Sequence, residues 1–269
     1  MARPSQSGMM DPIGQRSAGA DAGAASQVLV DPPASGAWNM ALDEALLELV
    51  AAGGTGPVLR FYRWQQPTLS LGYFQPYAER HGHGPSRACP VVRRSSGGGA
   101  IVHDRELTYS LVLPAAHPLA SNVVSLCDAV HAGLVAAVRL QGVAAQLCRP
   151  TRTDRTANHP FLCFARRTPG DVLVGDTKIA GSAQRRRQGA TLQHGSVLLD
   201  RSQAAPELAG LAQLAKAPLD CQQLLECWTG QLEQRLGLHF EPRTFRAACT
   251  RRAGELTEKY RSAAWTQRR

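Results

Sequence analysis

The chain has 269 residues, of which 43% are hydrophobic and 19% charged, and a net charge of +9 at pH 7. This size can bury the core of one large domain, and the lack of an uninterrupted run of about 18 apolar residues argues against a membrane span. Seven cysteines, an odd number with no Cys-x-x-Cys pair, argue against a disulfide framework and predict free thiols in the cytoplasm.

The chain begins with residues 1–26, which are rich in Ala, Gly, Ser and Gln and predict a disordered leader. One domain is expected over 27–269, with a helical C-terminal part. The predicted strands are 27–30, 58–64, 68–73, 89–92, 101–102, 107–113, 143–147, 171–174, 177–183 and 192–199. The predicted helices are 39–50, 122–141 and 221–236.

These elements predict an α/β or α+β fold, in which a mixed β-sheet is flanked by helices. The strands 58–64 and 68–73 are expected to pair as a hairpin around Gln65-Gln66-Pro67. The polar, arginine-rich stretch 148–160 is expected to be a mobile loop.

A glycine triplet is the most informative local feature, in the stretch Arg93-Arg94-Ser95-Ser96-Gly97-Gly98-Gly99-Ala100-Ile101-Val102-His103-Asp104. Three consecutive glycines let a backbone wrap closely around a ligand and present its N–H groups. We expect them to form a turn between two paired strands, and a plain flexible turn is the alternative. A P-loop is excluded because no Lys-Ser/Thr follows, and the dinucleotide fingerprint fails at Val102.

Two further positions could carry chemistry. Cys163 lies between bulky apolar residues, and the local sequence favours a core cysteine, because no general base for the thiol lies nearby in the chain. Lys178 precedes the small residues Gly181, Ser182 and Ala183, which leave room for a ligand beside its ammonium; an edge-strand lysine is the alternative. A cysteine close to such a cation would hold more thiolate at neutral pH, which suits acyl transfer through a thioester.

A metal site is not expected. His81, His83 and Cys89 could be taken for ligands, but the Gly, Pro and Ser residues around them indicate a surface loop.

Several motifs in order resemble the lipoate ligase and octanoyltransferase branch of the biotin/lipoate protein ligase superfamily. The segments that carry the resemblance are 39–47, 60–75, 93–114, 163–164, 178–200 and 255–265. The resemblance implies a core similar to class II aminoacyl-tRNA synthetases and biotin ligases. The 15-residue separation of Cys163 from Lys178 is similar to that of the cysteine-dependent octanoyltransferases of the LipM type. Ser95 and Gly99 look more like the ATP-dependent ligases, because those transferases usually carry Pro and Arg there.

The resemblance implies transfer of octanoate, in lipoate biosynthesis, from an acyl carrier protein to a lysine of a lipoyl domain such as the glycine cleavage H protein. Cys163 would carry the octanoyl group as a thioester, and Lys178 would favour its thiolate and orient the acyl carbonyl. The expected substrate-binding residues are Arg94, Ser96, Gly97, Gly98, Gly99, His103, Gly181, Ser182, Ala183 and His194.

Three alternatives remain open at this point. An ATP-dependent lipoate-protein ligase would need ATP and magnesium, whereas the transferase needs no cofactor. A second transferase would take octanoate from an H protein. A catalytically silent acyl-binding or nucleic-acid-binding relative would keep the fold and the charge. The positive charge favours an acidic carrier protein as partner. Nucleic acid and membranes are not expected as partners. We expect the protein to be a monomer.

Overall fold

The computed structural model describes residues 25–149, 160–244 and 247–269. The strands are β1 Ser26–Val30, β2 Val58–Tyr62, β3 Thr68–Leu71, β4 Val91–Arg93, β5 Ile101–His103, β6 Glu106–Leu113, β7 Ala145–Leu147, β8 Val172–Val174, β9 Thr177–Arg187, β10 Ala190–Leu198 and β11 Phe240–Pro242. The helices are α1 Gly36–Ala51, α2 Val123–Leu140, α3 Leu211–Leu214, α4 Cys221–Leu236, α5 Ala247–Arg261 and α6 Ala263–Thr266.

Eight strands form one sheet in the order β11-β1-β2-β6-β10-β9-β8-β7. The β1 strand is parallel to both of its neighbours. Every other pair of neighbouring strands in this sheet is antiparallel. The helices α2 and α4 pack on one face, where Trp228 meets Phe61 and Tyr109. The helices α1 and α5 cover the other face. The predicted mixed sheet flanked by helices is confirmed.

The local sequence accounts for the ends of the longer helices. Asp220 accepts hydrogen bonds from the N–H groups of Gln222 and Gln223 at the start of α4, and Gly237 ends this helix at φ 64°. Both devices satisfy backbone groups that a helix end leaves unpaired. Asn122 caps α2 in the same way. The predicted helices 122–141 and 221–236 are therefore confirmed to within one residue at each end.

Among the described residues, α2 is also long and apolar enough to cross a membrane, with a mean hydropathy of 1.6 over its 18 residues. Its charged residues interrupt the apolar run, so the sequence alone did not single it out. The side chains of Leu126, Val130 and Leu134 are fully buried between the sheet and α4. In this fold α2 is a core helix.

The predicted hairpin between 58–64 and 68–73 is wrong. β2 lies between β1 and β6 in the large sheet, whereas β3 belongs to a separate three-stranded sheet in the order β4-β3-β5. The two edges of β2 are taken by a parallel strand and by the long β6, so the chain leaves the large sheet after Tyr62. Two adjacent β-rich segments therefore serve different sheets.

The glycine triplet does not join two paired strands, as we expected from the sequence. β4 and β5 both pair with β3, one parallel and the other antiparallel, so the chain from β4 to β5 crosses over the end of β3. A Cβ atom on Gly72, just after β3, would lie 2.0 Å from the carbonyl oxygen of Gly98. This close approach requires glycine and brings the triplet down onto the sheet.

Two predictions fall largely outside the described residues. The structure does not describe residues 1–24 of the predicted leader. It also does not describe residues 150–159 of the predicted loop 148–160. The short β11 in the C-terminal part was not predicted from the sequence.

Candidate active site

Cys163 is held against the glycine triplet by backbone hydrogen bonds. The Cys163 N–H donates to the carbonyl of Ala100 at 2.8 Å, and the Ala100 N–H donates to the carbonyl of Phe161 at 3.0 Å. A Cβ atom on Gly99 would lie 3.3 Å from the Cys163 Cα, so a larger residue there would crowd this contact. The thiol is half-buried, at the start of a single 3₁₀ turn, Cys163–Ala165.

Lys178 lies beside this thiol. Its Nζ is 3.8 Å from the Cys163 Sγ and 3.4 Å from the Cys163 carbonyl oxygen. Lys178 also forms a buried ion pair with Asp171, at 2.8 Å from Oδ2, which in turn accepts hydrogen bonds from the backbone N–H and the hydroxyl of Thr168. The ammonium is therefore fixed, and its charge is partly compensated by a carboxylate. A cation at this distance can stabilise negative charge on the sulfur during nucleophilic attack.

Gly181 makes room for this ammonium. A Cβ atom there would lie 2.9 Å from the Lys178 Nζ and 2.7 Å from its Cε. Because these atoms form the flexible end of Lys178, a side chain at position 181 would displace the ammonium from its place beside Cys163.

Arg94 holds the glycine triplet in place through hydrogen bonds to its carbonyl groups. Its Nη2 donates to the carbonyls of Gly97 and Gly99 at 3.0 and 2.9 Å, and its Nη1 donates to the Ser70 hydroxyl and carbonyl. Burial lowers the pKa of Arg94 to about 10, so it remains a cation at neutral pH. The arginine thus uses its donors on the triplet's carbonyls and fixes the shape of the loop.

The N–H groups of the triplet are available to a ligand. Within the described parts of the chain, those of Gly97, Gly98 and Gly99 have no hydrogen-bond acceptor. Gly98 has φ 95°, a conformation that favours glycine. With the carbonyls of Gly97 and Gly99 bonded to Arg94 and its N–H groups free, the loop can donate hydrogen bonds to an oxygen in the cleft.

A buried chain of hydrogen bonds reaches the triplet from α1. The Asp43 carboxylate accepts from the His194 Nδ1 at 2.9 Å, and the His194 Nε2 is 2.5 Å from the Ser96 hydroxyl. Burial raises the pKa of Asp43, but the hydrogen bond from His194 and the charge of Arg60 outweigh it and hold the pKa below its usual value. The carboxylate holds a proton on Nδ1 and so orients the ring, with Nε2 facing the Ser96 hydroxyl.

A second chain of the same kind lies on the other side of the cleft. The Ser70 hydroxyl accepts from Arg94 and donates to the His103 Nε2 at 2.6 Å, and the His103 Nδ1 donates to Glu106 at 2.6 Å. Trp64 stacks on the His103 ring at 3.9 Å between centroids. Burial lowers the pKa of His103, despite the charge of Glu106. His103 is thus neutral at pH 7 and has a fixed tautomer.

A single cleft of about 440 Å³, including its open mouth, gathers most of the predicted site residues. Cys163, Arg94, Gly97, Gly98, His103, Gly181, Ser182, Ala183 and His194 line it. The three other predicted residues lie behind the lining: Ser96 is buried against His194, Gly99 packs on the Cys163 backbone, and Lys178 contacts the thiol. The structure therefore brings all twelve together.

Sequence reasoning missed several residues of this cleft. The two carboxylates Asp43 and Asp171, which partner His194 and Lys178, were not named. The sequence held one indication that Asp43 is functional. Asn39 and Asp43 are polar residues one helical turn apart among the apolar residues of α1. No local signal marks Asp171. The cleft is completed by Met40, Tyr62, Ile101, Thr108, Phe164, Gly195 and Ser196.

No group of three or more His, Cys, Asp or Glu side chains within the described ranges could hold a metal ion. His83 instead bonds to the Ser86 hydroxyl and to Glu207.

Comparison with known proteins identifies related sequences and folds. Residues 35–218 match the family described as lipoyl protein ligase A/B catalytic domain. The chain is 32% identical over 266 residues to a protein named Octanoyltransferase LipM from Macrococcus caseolyticus, across 86% of this chain and 94% of the relative. It is 33% identical to the protein of the same name from Kyrpidia tusciae, across 87% and 96% of the two chains.

Solved structures share the fold at low sequence identity. A lipoate-protein ligase A bound with ATP superimposes with a TM-score of 0.72 at 22% identity, across 90% of this chain and 98% of the other. A bi-partite lipoate protein ligase from Thermoplasma acidophilum gives 0.69 at 20% identity, across 91% and 96% of the two chains.

Proposed function

Because the chain belongs to the lipoyl protein ligase A/B catalytic domain family, we propose that it is an octanoyltransferase of lipoate biosynthesis that uses Cys163 as its nucleophile. The single observation that carries this proposal is the Cys163 thiol beside the Lys178 ammonium, in the cleft that the glycine triplet lines. The names of the two LipM relatives support it.

In the first step, the Cys163 thiolate attacks the carbonyl carbon of an octanoyl thioester. The bond from Sγ to carbon forms, the bond from carbon to the donor's sulfur breaks, and the donor's thiolate takes up a proton. The positive charge of Lys178 stabilises the attacking thiolate, and Asp171 keeps the ammonium in place. Since the donor is already an activated thioester, this step needs no nucleotide.

In the second step, the amine of an acceptor lysine attacks the carbonyl of the octanoyl-Cys163 thioester. An amide bond forms, the thiolate of Cys163 leaves, and the proton lost by the amine passes to the thiolate or to water. The acceptor is a lipoyl domain, a partner that fits octanoyl transfer in lipoate biosynthesis. The carrier protein as donor, and the H protein as one such acceptor, belong to the same proposal.

The glycine triplet supports both steps in the same way. Each step passes through a tetrahedral intermediate whose oxygen carries negative charge, and such an oxyanion needs donors that are already oriented. The free N–H groups of Gly97 to Gly99 are suitable donors, and Arg94 holds their backbone in place. The Cys163 N–H is committed to Ala100 and does not serve this purpose.

The test is intact-mass analysis after mixing the protein with an octanoyl carrier protein in the absence of ATP. We expect one octanoyl adduct, which disappears on addition of a lipoyl domain as the domain gains the group. The Cys163→Ala variant is expected to form no adduct. A matched control is Cys221→Ala, which removes a partly exposed thiol at the start of α4.

An ATP-dependent ligase would behave differently. The triple glycine and the fold shared with a ligase bound to ATP favour this second candidate. It predicts no adduct without ATP, and transfer from free octanoate plus ATP that survives Cys163→Ala. That result would overturn the transferase proposal.

A further inference from the structure

Three arginines converge on the ring of Tyr73 beside the mouth of the cleft. The guanidinium carbons of Arg185, Arg268 and Arg269 lie 5.7, 4.6 and 5.7 Å from the ring centroid. Arg185 comes from β9, whereas Arg268 and Arg269 follow α6. We call these three arginines with Tyr73 the arginine cluster.

The arginine cluster adjoins the glycine triplet. The Tyr73 N–H donates to the carbonyl of Ser96 at 2.8 Å. The neighbouring Phe74 is 67% exposed, and its ring lies 3.9 Å from where a Cβ atom of Gly97 would be. Arg185 follows Ala183, which lines the cleft, on the same face of β9. An anion bound to the cluster would therefore sit at the entrance to the active site.

The positive charge of the arginine cluster is not neutralised. All three arginines are exposed, and none forms an ion pair with any residue that the structure describes. Glu44, on the nearby surface of α1, is engaged by Lys259 and Tyr260. Burial, together with the charges of Arg268 and Arg269, lowers the pKa of Arg93 beneath them.

Like charges held this close repel each other, and contact with aromatic faces compensates only part of that cost. A bound anion would relieve the repulsion. Planar guanidinium groups suit a phosphate oxygen pair in particular, because they can donate two parallel hydrogen bonds.

We propose that the arginine cluster docks the acyl donor by binding the phosphodiester of a phosphopantetheine arm on an acidic carrier protein. This inference rests on the proposed function. The two partners differ in the charge that they bring to the entrance. The acceptor presents a lysine, which is a cation before it reacts, whereas the donor arm presents a phosphate. A cluster of cations attracts the donor and repels the reacting group of the acceptor.

The test compares two donors in single-turnover acylation of Cys163, followed by mass spectrometry. The variant carries Arg185→Gln, Arg268→Gln and Arg269→Gln together. With octanoyl carrier protein, we expect its second-order rate constant to fall about tenfold or more at low salt, with a flatter dependence on salt. With octanoyl-pantetheine, which has no phosphate and no protein, the rate should stay within about twofold of wild type.

The matched control removes the same net charge elsewhere. It carries Arg201→Gln, Arg235→Gln and Arg243→Gln, three exposed arginines outside the arginine cluster. This variant should react with octanoyl carrier protein within about twofold of wild type, since the effect depends on position as well as on net charge.

Several outcomes would overturn the inference alone. They are an equal loss with both donors, no loss with octanoyl carrier protein, or a loss confined to transfer from octanoyl-Cys163 to a lipoyl domain. A loss confined to this transfer would mean that the arginine cluster binds the acceptor and not the donor. If neither donor acylates wild-type Cys163, the proposed function fails as well, so the two failures are distinguishable.

Discussion

The Cys163 thiol lies beside a cation that is itself paired with a carboxylate. Lys178 lies 3.8 Å from the Sγ and 2.8 Å from the Asp171 Oδ2. The Asp171 carboxylate therefore offsets part of the positive charge that Lys178 places near the sulfur. Replacement of Lys178 and replacement of Asp171 should change the reactivity of Cys163 in opposite directions.

We expect Lys178→Met to slow alkylation of Cys163 by iodoacetamide at pH 7 by about tenfold, since the variant lacks the ammonium that stabilises negative charge on the attacking sulfur. Asp171→Asn should leave the rate unchanged or raise it, because the ammonium then loses its compensating charge. Peptide mapping of the alkylated protein measures both rates. Slowing of similar size in both variants would instead mean that the pair acts only by holding the fold.

The neutral state of His103 makes stability depend on pH. Burial lowers its pKa in the folded chain below the value of 6.5 for a free histidine. Below pH 6.5 the unfolded chain therefore binds a proton that the folded chain does not. The free energy of unfolding falls as the pH drops from 6.5 towards the folded pKa, with a slope of at most about 1.4 kcal/mol per pH unit from this group.

The His103→Gln variant should lose this component. Urea unfolding between pH 7.5 and 5 should show a shallower decline for the variant, although it is less stable throughout. The control His239→Gln replaces a side chain that is 83% exposed, and its curve should run parallel to wild type. Parallel curves for His103→Gln would contradict the prediction.

At the scale of elements, α1 connects the active site to the sheet. Its residue Asp43 binds both His194 and Arg60, and Arg60 is fully buried between Asp43 and Asp31, at 2.8 and 2.6 Å. On its outer side Glu44 and Glu48 bind α5. The polar residues of this helix therefore determine how it sits above β2 and β10.

Arg60→Met should lower the free energy of unfolding by about 3–5 kcal/mol, since it leaves two carboxylates buried without their cation. Adding Asp43→Asn should recover part of that loss. The exposed Arg243→Met, which breaks a surface pair with Glu241, should cost at most about 1 kcal/mol. Denaturant titration measures all three variants, and equal effects of Arg60→Met and Arg243→Met would refute the argument.

Element prediction succeeded where one segment contains its own signals. The helix α4 has its cap, its apolar stripe and its terminal glycine within seventeen residues of each other. The strands β2, β3, β4 and β5 were also predicted, but the pairings of β2 with β3 and of β4 with β5 were wrong, because strand partners are chosen by competition among distant segments. The parallel β1 and the eight-residue β6 occupy both edges of β2, and nothing near Gln65-Gln66-Pro67 reveals this.

At the scale of the whole molecule, the seven free cysteines differ in how deeply the fold buries them. Burial raises the pKa of Cys249 to about 11 and also raises that of Cys89. Burial raises the pKa of Cys127 too, but hydrogen bonding to His131 outweighs it and the net pKa is lowered. The thiols therefore differ in reactivity because of their positions in the fold.

In the native protein we expect iodoacetamide to modify Cys163 and Cys127 first, and Cys89 and Cys249 only after unfolding. Time-resolved peptide mapping with and without urea measures this order. Early modification of Cys249 would be inconsistent with its burial on the inner face of α5.

The family, the order of most elements and twelve residues in and around one cleft were predicted from the sequence alone. These conclusions rest on motifs whose members lie close together in the chain, as in the glycine triplet and the small residues after Lys178. The folded chain was needed to show that β3 separates β4 from β5 and that Asp171 and Asp43 partner Lys178 and His194. It also showed that Arg185, Arg268 and Arg269 converge on one ring. The reason is physical: buried charges and strand edges must find partners, and those partners come from whichever distant segment packing brings near.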